Sequence, residues 1–248
     1  MACNENTKYL DFWPIVKRAW REIVGVPVIM VFVGETVPDH LKEDTAIYHY
    51  KPKGSWPTAT QAQVIRLLFP AVMECNGAVL IGDMDCMPLN AKFFHKEIAK
   101  ARDDQFVSLR GILEEHKEVC MMYVAAAPKV WREMFGVKTL LDIDRILTTW
   151  SCEHPADGRH SGVGWTSDQT ILYKAVKALP QDKLRVVDWD YDFPRLDRSM
   201  PYEWIQMSPY LESRIFYNHY IDFHMPPLQA FRKQIEDVLE MRVKKGSV

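Results

Sequence analysis

The chain has 248 residues, 48% hydrophobic and 26% charged, with a formal net charge of −2. That size and apolar content allow a buried core, and the eight tryptophans exclude a disordered polymer. The balanced charge argues against a dedicated nucleic-acid binder but leaves room for a small anionic ligand such as a nucleotide, held by a few placed Arg and Lys. The cysteines, at positions 3, 75, 86, 120 and 152, are scattered, odd in number and form no CxxC pair. They read as reduced thiols in a cytosol-like compartment. No stretch approaches the ~20 apolar residues of a membrane span, and the polar opening MACNENTKYLDF lacks a signal-peptide core. The expectation is a soluble, cytoplasmic protein.

In chain order, Phe12, Ile15, Val16, Ala19 and Ile23 predict a helix over 10–23, closed by Gly25 and Pro27. VIMVFV then reads as a buried strand, and Ala46 to Tyr50 as a second one. Thr58 or Thr60 is placed to cap a helix carrying Val64, Leu67 and Leu68, with Pro70 interrupting it. Asn76-Gly77 turns the chain into a third strand, AVLIG. Strand, helix, strand, helix, strand is an α/β pattern with a mixed, mostly parallel sheet flanked by helices. Ligands of such sheets gather beyond the carboxyl ends of the strands. Near the C-terminus, Leu228, Phe231, Ile235, Val238 and Leu239 share one face of an amphipathic helix, expected to pack back on the domain. The alternative is a membrane-surface helix, given Arg242, Lys244 and Lys245, but Glu236, Asp237 and Glu240 dilute its basic face.

Directly after AVLIG the chain reads Asp83-Met84-Asp85. If the strand stays extended through Asp85, residues two apart point to one side and the two carboxylates face a common spot. Two carboxylates there suit a hard divalent cation, Mg²⁺ or Mn²⁺. A turn-forming aspartate pair before Pro88 would need no metal. Arg66, on the preceding helix, is placed either to order Asp83 or touch an anionic ligand, or else to point into solvent. The acidic and aromatic run Asp188 to Phe193 reads as polyol-binding carboxylates or as a solvated loop with anchoring rings.

The stretch TATQAQVIRLLFPAVMECNGAVLIGDMDCMPLN resembles the core of nucleotide-sugar-dependent glycosyltransferases of the GT-A fold. Gly164-Trp165-Thr166-Ser167-Asp168-Gln169 is similar to their G-W-x-x-D-Q element. Arg195-Leu196-Asp197-Arg198 and Asp222-Phe223-His224 resemble the RLDR and late D-x-H segments, and the opening from Asn4 to Trp13 resembles a base-binding loop. The small enzymes of large DNA viruses, of the chlorella-virus type, and of some microbes are the nearest likeness. The resemblance implies a single GT-A domain over 1–248, with a nucleotide-sugar half to about residue 90 and an acceptor half from about 91. It implies transfer of a sugar from a UDP- or GDP-sugar to a glycan or protein-linked glycan acceptor, with Mn²⁺ or Mg²⁺ as cofactor.

The same resemblance distributes the roles. Asp83, Asp85 and His224 become metal ligands, with His219 the rival of His224. Asn4, Glu5 and Arg66 join the two aspartates on the donor side. Trp165, Arg195 and Asp197 fall to acceptor or sugar recognition, and Asp168 and Gln169 to catalysis. The likeness of the D-Q segment to retaining enzymes implies a retaining transfer. Chemically, a cation held by Asp83 and Asp85 would neutralise charge on the leaving diphosphate. Asp168 has a plainer reading as a helix-start residue favoured by the dipole, and Trp165 as core. A metal-dependent hydrolase and a non-catalytic sugar-nucleotide binder are the competing classes. The former is disfavoured because glycosidase carboxylates face each other across the substrate, ~5 Å or more apart on separate elements.

Overall fold

The computed structural model describes residues 1–187, 193–199 and 208–246, and side chains as far as 244. Its contacts group the chain into two compact units built from interleaved segments. The first comprises Met1–Glu5, Ile29–Asp83 and Glu97–Trp189. The second comprises Asn6–Val28, Met84–Lys96 and Asp190–Val248.

In the first unit, β1 (Ala2–Cys3), β2 (Met30–Val33) and β3 (Ile47–Tyr50) form a parallel sheet in chain order. Ala2 lies opposite Val31, and Met30 opposite Ile47. All four residues of β2 are buried, as its unbroken apolar run requires of a strand covered on both faces. Helix α3 (Thr58–Leu68) fills the interior, with Val64, Ile65, Leu67 and Leu68 at 0% exposure. The expected threonine cap is not used: Pro57 precedes the helix, and the Thr58 hydroxyl, at the first helical position, is engaged by Asn4 and Glu5 instead. At Pro70, which has no N–H to donate, the helix tightens into the 3₁₀ turn Phe69–Val72.

A second, mixed sheet belongs to the same unit. Its order is β10 (Leu184–Val186), β6 (Phe106–Ser108), β9 (Val124–Ala126), β4 (Val79–Ile81), with β10 parallel to β6 and β9 antiparallel to both its neighbours. A small hairpin pairs β7 (Ile112–Leu113) with β8 (Glu118–Val119). Helix α5 (Pro128–Phe135) ends on Gly136 in the left-handed conformation. Helix α6 (Leu140–Glu153) opens with a reciprocal cap between Thr139 and Asp142. With α7 (Ser167–Lys177), these helices bury Trp131, Leu147, Leu172 and Val176 in one core.

The second unit opens with α1 (Thr7–Leu10) and α2 (Trp13–Ala19), the latter running into the π-turn Trp20–Val24 and closing on Gly25. The single helix expected over 10–23 is thus divided at Asp11 and Phe12. Asn6 caps the first piece, and Pro14 favours a fresh start for the second. Helix α4 (Ala91–Ala99) begins in this unit, where Asn90 Oδ1 accepts the Phe93 N–H (3.1 Å). A three-stranded sheet has the order β11 (Arg195–Asp197), β12 (Asp222–His224), β5 (Cys86–Pro88), parallel then antiparallel. Helix α8 (Pro209–Phe216) lies against α9 (Leu228–Gly246), in which Leu228, Ile235, Val238 and Leu239 are buried as expected. Arg242, counted among the basic residues of a possible membrane face, is 6% exposed and donates through Nη1 to the Ile215 carbonyl (3.1 Å). No described helix is long and apolar enough to cross a membrane.

One local expectation is corrected. Strand β4 stops at Ile81, and Met84 and Asp85 form a turn before β5, so the two aspartates do not share one face of an extended strand. A sharper constraint lies at Gly54 (φ +70°), where an added Cβ would come 3.0 Å from the Thr148 Cα and closer still to the Ser151 hydroxyl. The neighbouring Ser55 is tied to Ser151 from both its N–H and its hydroxyl. Gly54→Ala is therefore expected to destabilise the protein by about 1–3 kcal/mol in urea unfolding. Gly77→Ala, at a position with open space and no unusual φ, should cause no loss.

Candidate active site

Arg66 lies on α3 among otherwise buried neighbours, its side chain 15% exposed. Its Nε–H donates to the Gln63 carbonyl (3.1 Å), Nη1 to Asp83 Oδ1 and Nη2 to Asp168 Oδ2. The solvent-facing reading of Arg66 is overturned: the guanidinium bridges the residue just beyond β4 to the start of α7. Burial opposes its charge, yet the two carboxylates more than compensate and hold it firmly protonated. Asp168 is 1% exposed, and burial pushes its carboxyl above the ordinary range although Arg66 pulls the other way. Its second oxygen accepts the Gln169 N–H (2.9 Å). Asp168 also occupies the first turn of α7, where the helix dipole favours a carboxylate. A buried group of two carboxylates and one guanidinium is costly to form and adds little stability over an apolar core.

Other residues named from the sequence surround this group in the first unit without joining it. The Asn4 amide donates to the Thr58 hydroxyl (3.1 Å), which donates to Glu5 Oε1 (3.1 Å). Gln169 is half-buried, and Trp165 presents its carbonyl to the Gln63 amide (3.3 Å). The Trp165 ring is half-buried and packs on His160, centroids 4.5 Å apart.

The second cluster is placed by strand register. Asp197 on β11 lies opposite His224 on β12, which lies opposite Cys86 on β5. His224 Nδ1 meets Asp197 Oδ2 at 2.9 Å, and its Nε2 stands 3.4 Å from Asp85 Oδ2. The Met225 N–H donates to the Asp85 carbonyl (2.8 Å), which anchors that residue beside the end of β12. Asp85 is 9% exposed; burial would raise its pKa, but His224 and Arg198 hold the carboxyl below the usual range. Asp197 is likewise held low against its own burial, by the Ser199 hydroxyl and N–H and by His224. Two residues earlier, Arg195 Nη2 donates to the fully buried Asp222 (2.7 Å). Arg195 and Asp197, expected to recognise a sugar, are thus engaged by neighbouring strands. His219, the rival histidine, is exposed on the loop before β12.

Among the described residues, Asp85, Cys86 and His224 bring metal-binding atoms within 4.8 Å of one another. The donor chemistry fits a divalent cation. His224 meets Asp197 through one ring nitrogen and Asp85 through the other, and with the Cys86 thiol these are the oxygen, nitrogen and sulfur donor types that a divalent transition-metal cation takes. Asp83 is absent from this group, consistent with the turn that separates the two aspartates. Sequence reasoning passed over Cys86 and Arg198, whose Nη1 reaches Asp85 Oδ2 (3.2 Å). The available signal was the closing arginine of the RLDR segment. Cys152 and His154 stand at the end of α6 and, with His160, join no metal-binding group among the described residues. Of the Asp188 to Phe193 run, residues 188–192 lie outside the described residues.

No family model matches the chain, and no curated protein matches it in sequence. In structure it is similar to the galactosyltransferase LgtC, solved in complex with donor and acceptor sugar analogs. The match has a TM-score of 0.51 and 11% identity, and covers 100% of this chain and 94% of that one. The fold is therefore a mixed α/β fold of the GT-A type, as the sequence predicted.

Losing Arg66 would strand Asp168 as an uncompensated buried charge. Arg66→Leu is expected to cost about 3–5 kcal/mol in urea unfolding, with much of the loss recovered when Asp168→Asn is added. In the single variant the folded-state pKa of Asp168 lies above its unfolded value. Its stability should accordingly be greatest below the unfolded carboxylate pKa and fall as pH rises through the folded one. A flat pH profile, or no recovery in the double variant, would remove the electrostatic role.

Proposed function

We propose that the chain is a metal-dependent glycosyltransferase that moves a sugar from a UDP- or GDP-sugar to a glycan or protein-linked glycan acceptor. The observation that carries this reading is the pairing of Asp85 with His224 in a chain of GT-A-type fold, with the other side of the imidazole held by Asp197. Asp85 and His224 are the cation's holders in the second unit. An imidazole nitrogen beside a carboxylate oxygen favours Mn²⁺ over Mg²⁺. Bound there, the cation would supply Lewis-acid stabilisation of the charge growing on the leaving diphosphate.

The chain's own residues do the rest. Asp197 keeps His224 in the tautomer that frees Nε2. In the first unit, Arg66 fixes Asp83 and Asp168 in place as hydrogen-bond acceptors, and their remaining lone pairs suit sugar hydroxyls. The Asn4–Thr58–Glu5 chain lies beyond the carboxyl end of β1, where a parallel sheet receives a nucleotide. Gln169, adjacent to Asp168, is the polar group assigned to the reacting sugar face, and the Trp165 ring is a platform for an acceptor ring. Retention of configuration follows the D-Q likeness, with Asp168 orienting the donor sugar rather than serving the acceptor as a base.

Two measurements test the reading. Calorimetry with UDP and with GDP, each with and without Mn²⁺, is expected to show one nucleotide tightened about tenfold or more by the metal, an effect that His224→Ala removes. Equal binding with and without Mn²⁺ would overturn the metal dependence. Asp168→Asn is expected to lower both transfer and donor hydrolysis by about a hundredfold, as loss of donor positioning does. A variant that loses transfer but hydrolyses donor normally would make Asp168 an acceptor base instead, and NMR of the product anomer would report the stereochemistry separately.

A further inference from the structure

Two arginines of the RLDR segment meet carboxylates in the second unit, on different terms. Arg195 is built in: its side chain is 14% exposed and its partner Asp222 is fully buried. Arg198, in the turn after β11, is 42% exposed and reaches Asp85 Oδ2 through one nitrogen at 3.2 Å. That oxygen is the one facing His224 Nε2 at 3.4 Å. The guanidinium therefore stands against the atom through which Asp85 would hold a cation. Like charges do not share one carboxylate oxygen comfortably, and of the two only the guanidinium is on a long, half-exposed arm that can leave.

Its destination follows from charge. Three carboxylates, Asp85, Asp197 and Asp222, face two guanidiniums, Arg195 and Arg198, so that among these five side chains one negative charge is in excess. A divalent cation turns that into one net positive charge, and an anion is then needed to balance it. A diphosphate brings oxygens that a guanidinium binds in fork geometry.

We propose that Arg198 is a diphosphate-binding residue which, before the cation and donor arrive, occupies Asp85 as a stand-in counter-ion and is exchanged off it on loading. The inference rests on reading Asp85 and His224 as the cation's holders. It predicts effects of opposite sign from one substitution. Arg198→Gln should bind Mn²⁺ alone roughly two- to fivefold more tightly, because an exposed competing ion pair is gone. The same variant should bind UDP or GDP, whichever the wild type prefers, about tenfold more weakly at saturating Mn²⁺, having lost a charge-assisted contact. Arg198→Lys keeps the charge but not the fork, and should fall between wild type and Arg198→Gln on both measures.

Mn²⁺ titration followed by electron paramagnetic resonance reads the first effect and calorimetry the second, with circular dichroism reporting the fold. Should Arg198→Gln not fold, Arg198→Lys carries the same two readouts. Unchanged or weakened Mn²⁺ binding, or unchanged nucleotide binding, overturns the exchange. A wild-type protein with metal-dependent nucleotide binding, matched by its Arg198 variants, sinks this inference alone. A wild type that binds no Mn²⁺ sinks it together with the functional reading.

Discussion

Arg66 sits between two carboxylates that reach it from Asp83, 17 residues later in the chain, and Asp168, 102 residues later. A guanidinium taken out of water is tolerable only when its charge and its N–H groups are met, and the first unit meets them with Asp83, Asp168 and the Gln63 carbonyl. The same contact makes a buried Asp168 tolerable. Helix α3, the chain just beyond β4 and the start of α7 are thereby tied through one planar group. An apolar side chain could fill that volume at less cost. What it could not do is hold two acceptor groups in a fixed geometry, and that is the property a hydroxyl-rich ligand requires.

The second unit reaches a comparable result by other means. There strand register does the organising. Asp197 opposite His224, and His224 opposite Cys86, follow from the pairing of β11, β12 and β5, so backbone hydrogen bonds set the side-chain encounters. Because side chains alternate along a strand, Arg195 and Asp197 share a face and meet Asp222 and His224 on the same side of β12. The Asp197 carboxylate thereby meets one imidazole nitrogen and the Asp85 carboxylate the other. A shift of one residue in the β11 register would turn both side chains away, which makes the cluster depend on pairing rather than on local sequence.

That difference explains what the sequence could and could not reveal. β2, β3, β4 and α3 are written in unbroken or periodic apolar runs, and they stand where those runs predicted. Asp83, Asp85, Asp168 and His224 were legible because short segments around them resemble a known family. The division of the first helix at Asp11–Phe12 was not legible, since the apolar spacing continues across it. The threonine cap failed because the Thr58 hydroxyl found non-local partners in Asn4 and Glu5, and no window around residue 58 contains them. The roles of Asp197 and Arg198 were hidden for the same reason. Their partners, His224 on β12 and Asp85 in the turn before β5, lie more than 25 residues away, and register is a property of the folded sheet.

The turn at Met84–Asp85 gives the two aspartates of one short motif different electrostatic lives. Asp83 belongs to a guanidinium that is itself mostly buried and bound on every side, so its counter-ion is permanent. Asp85 belongs to Arg198, whose arm is half in water, and to the Nε2 of His224. Only the second carboxylate lies beside a half-exposed cation and an imidazole at once. An extended strand would have given both the same surroundings and the same task. By bending after Asp83, the chain gives the two carboxylates different partners, one a mostly buried guanidinium and the other a half-exposed one.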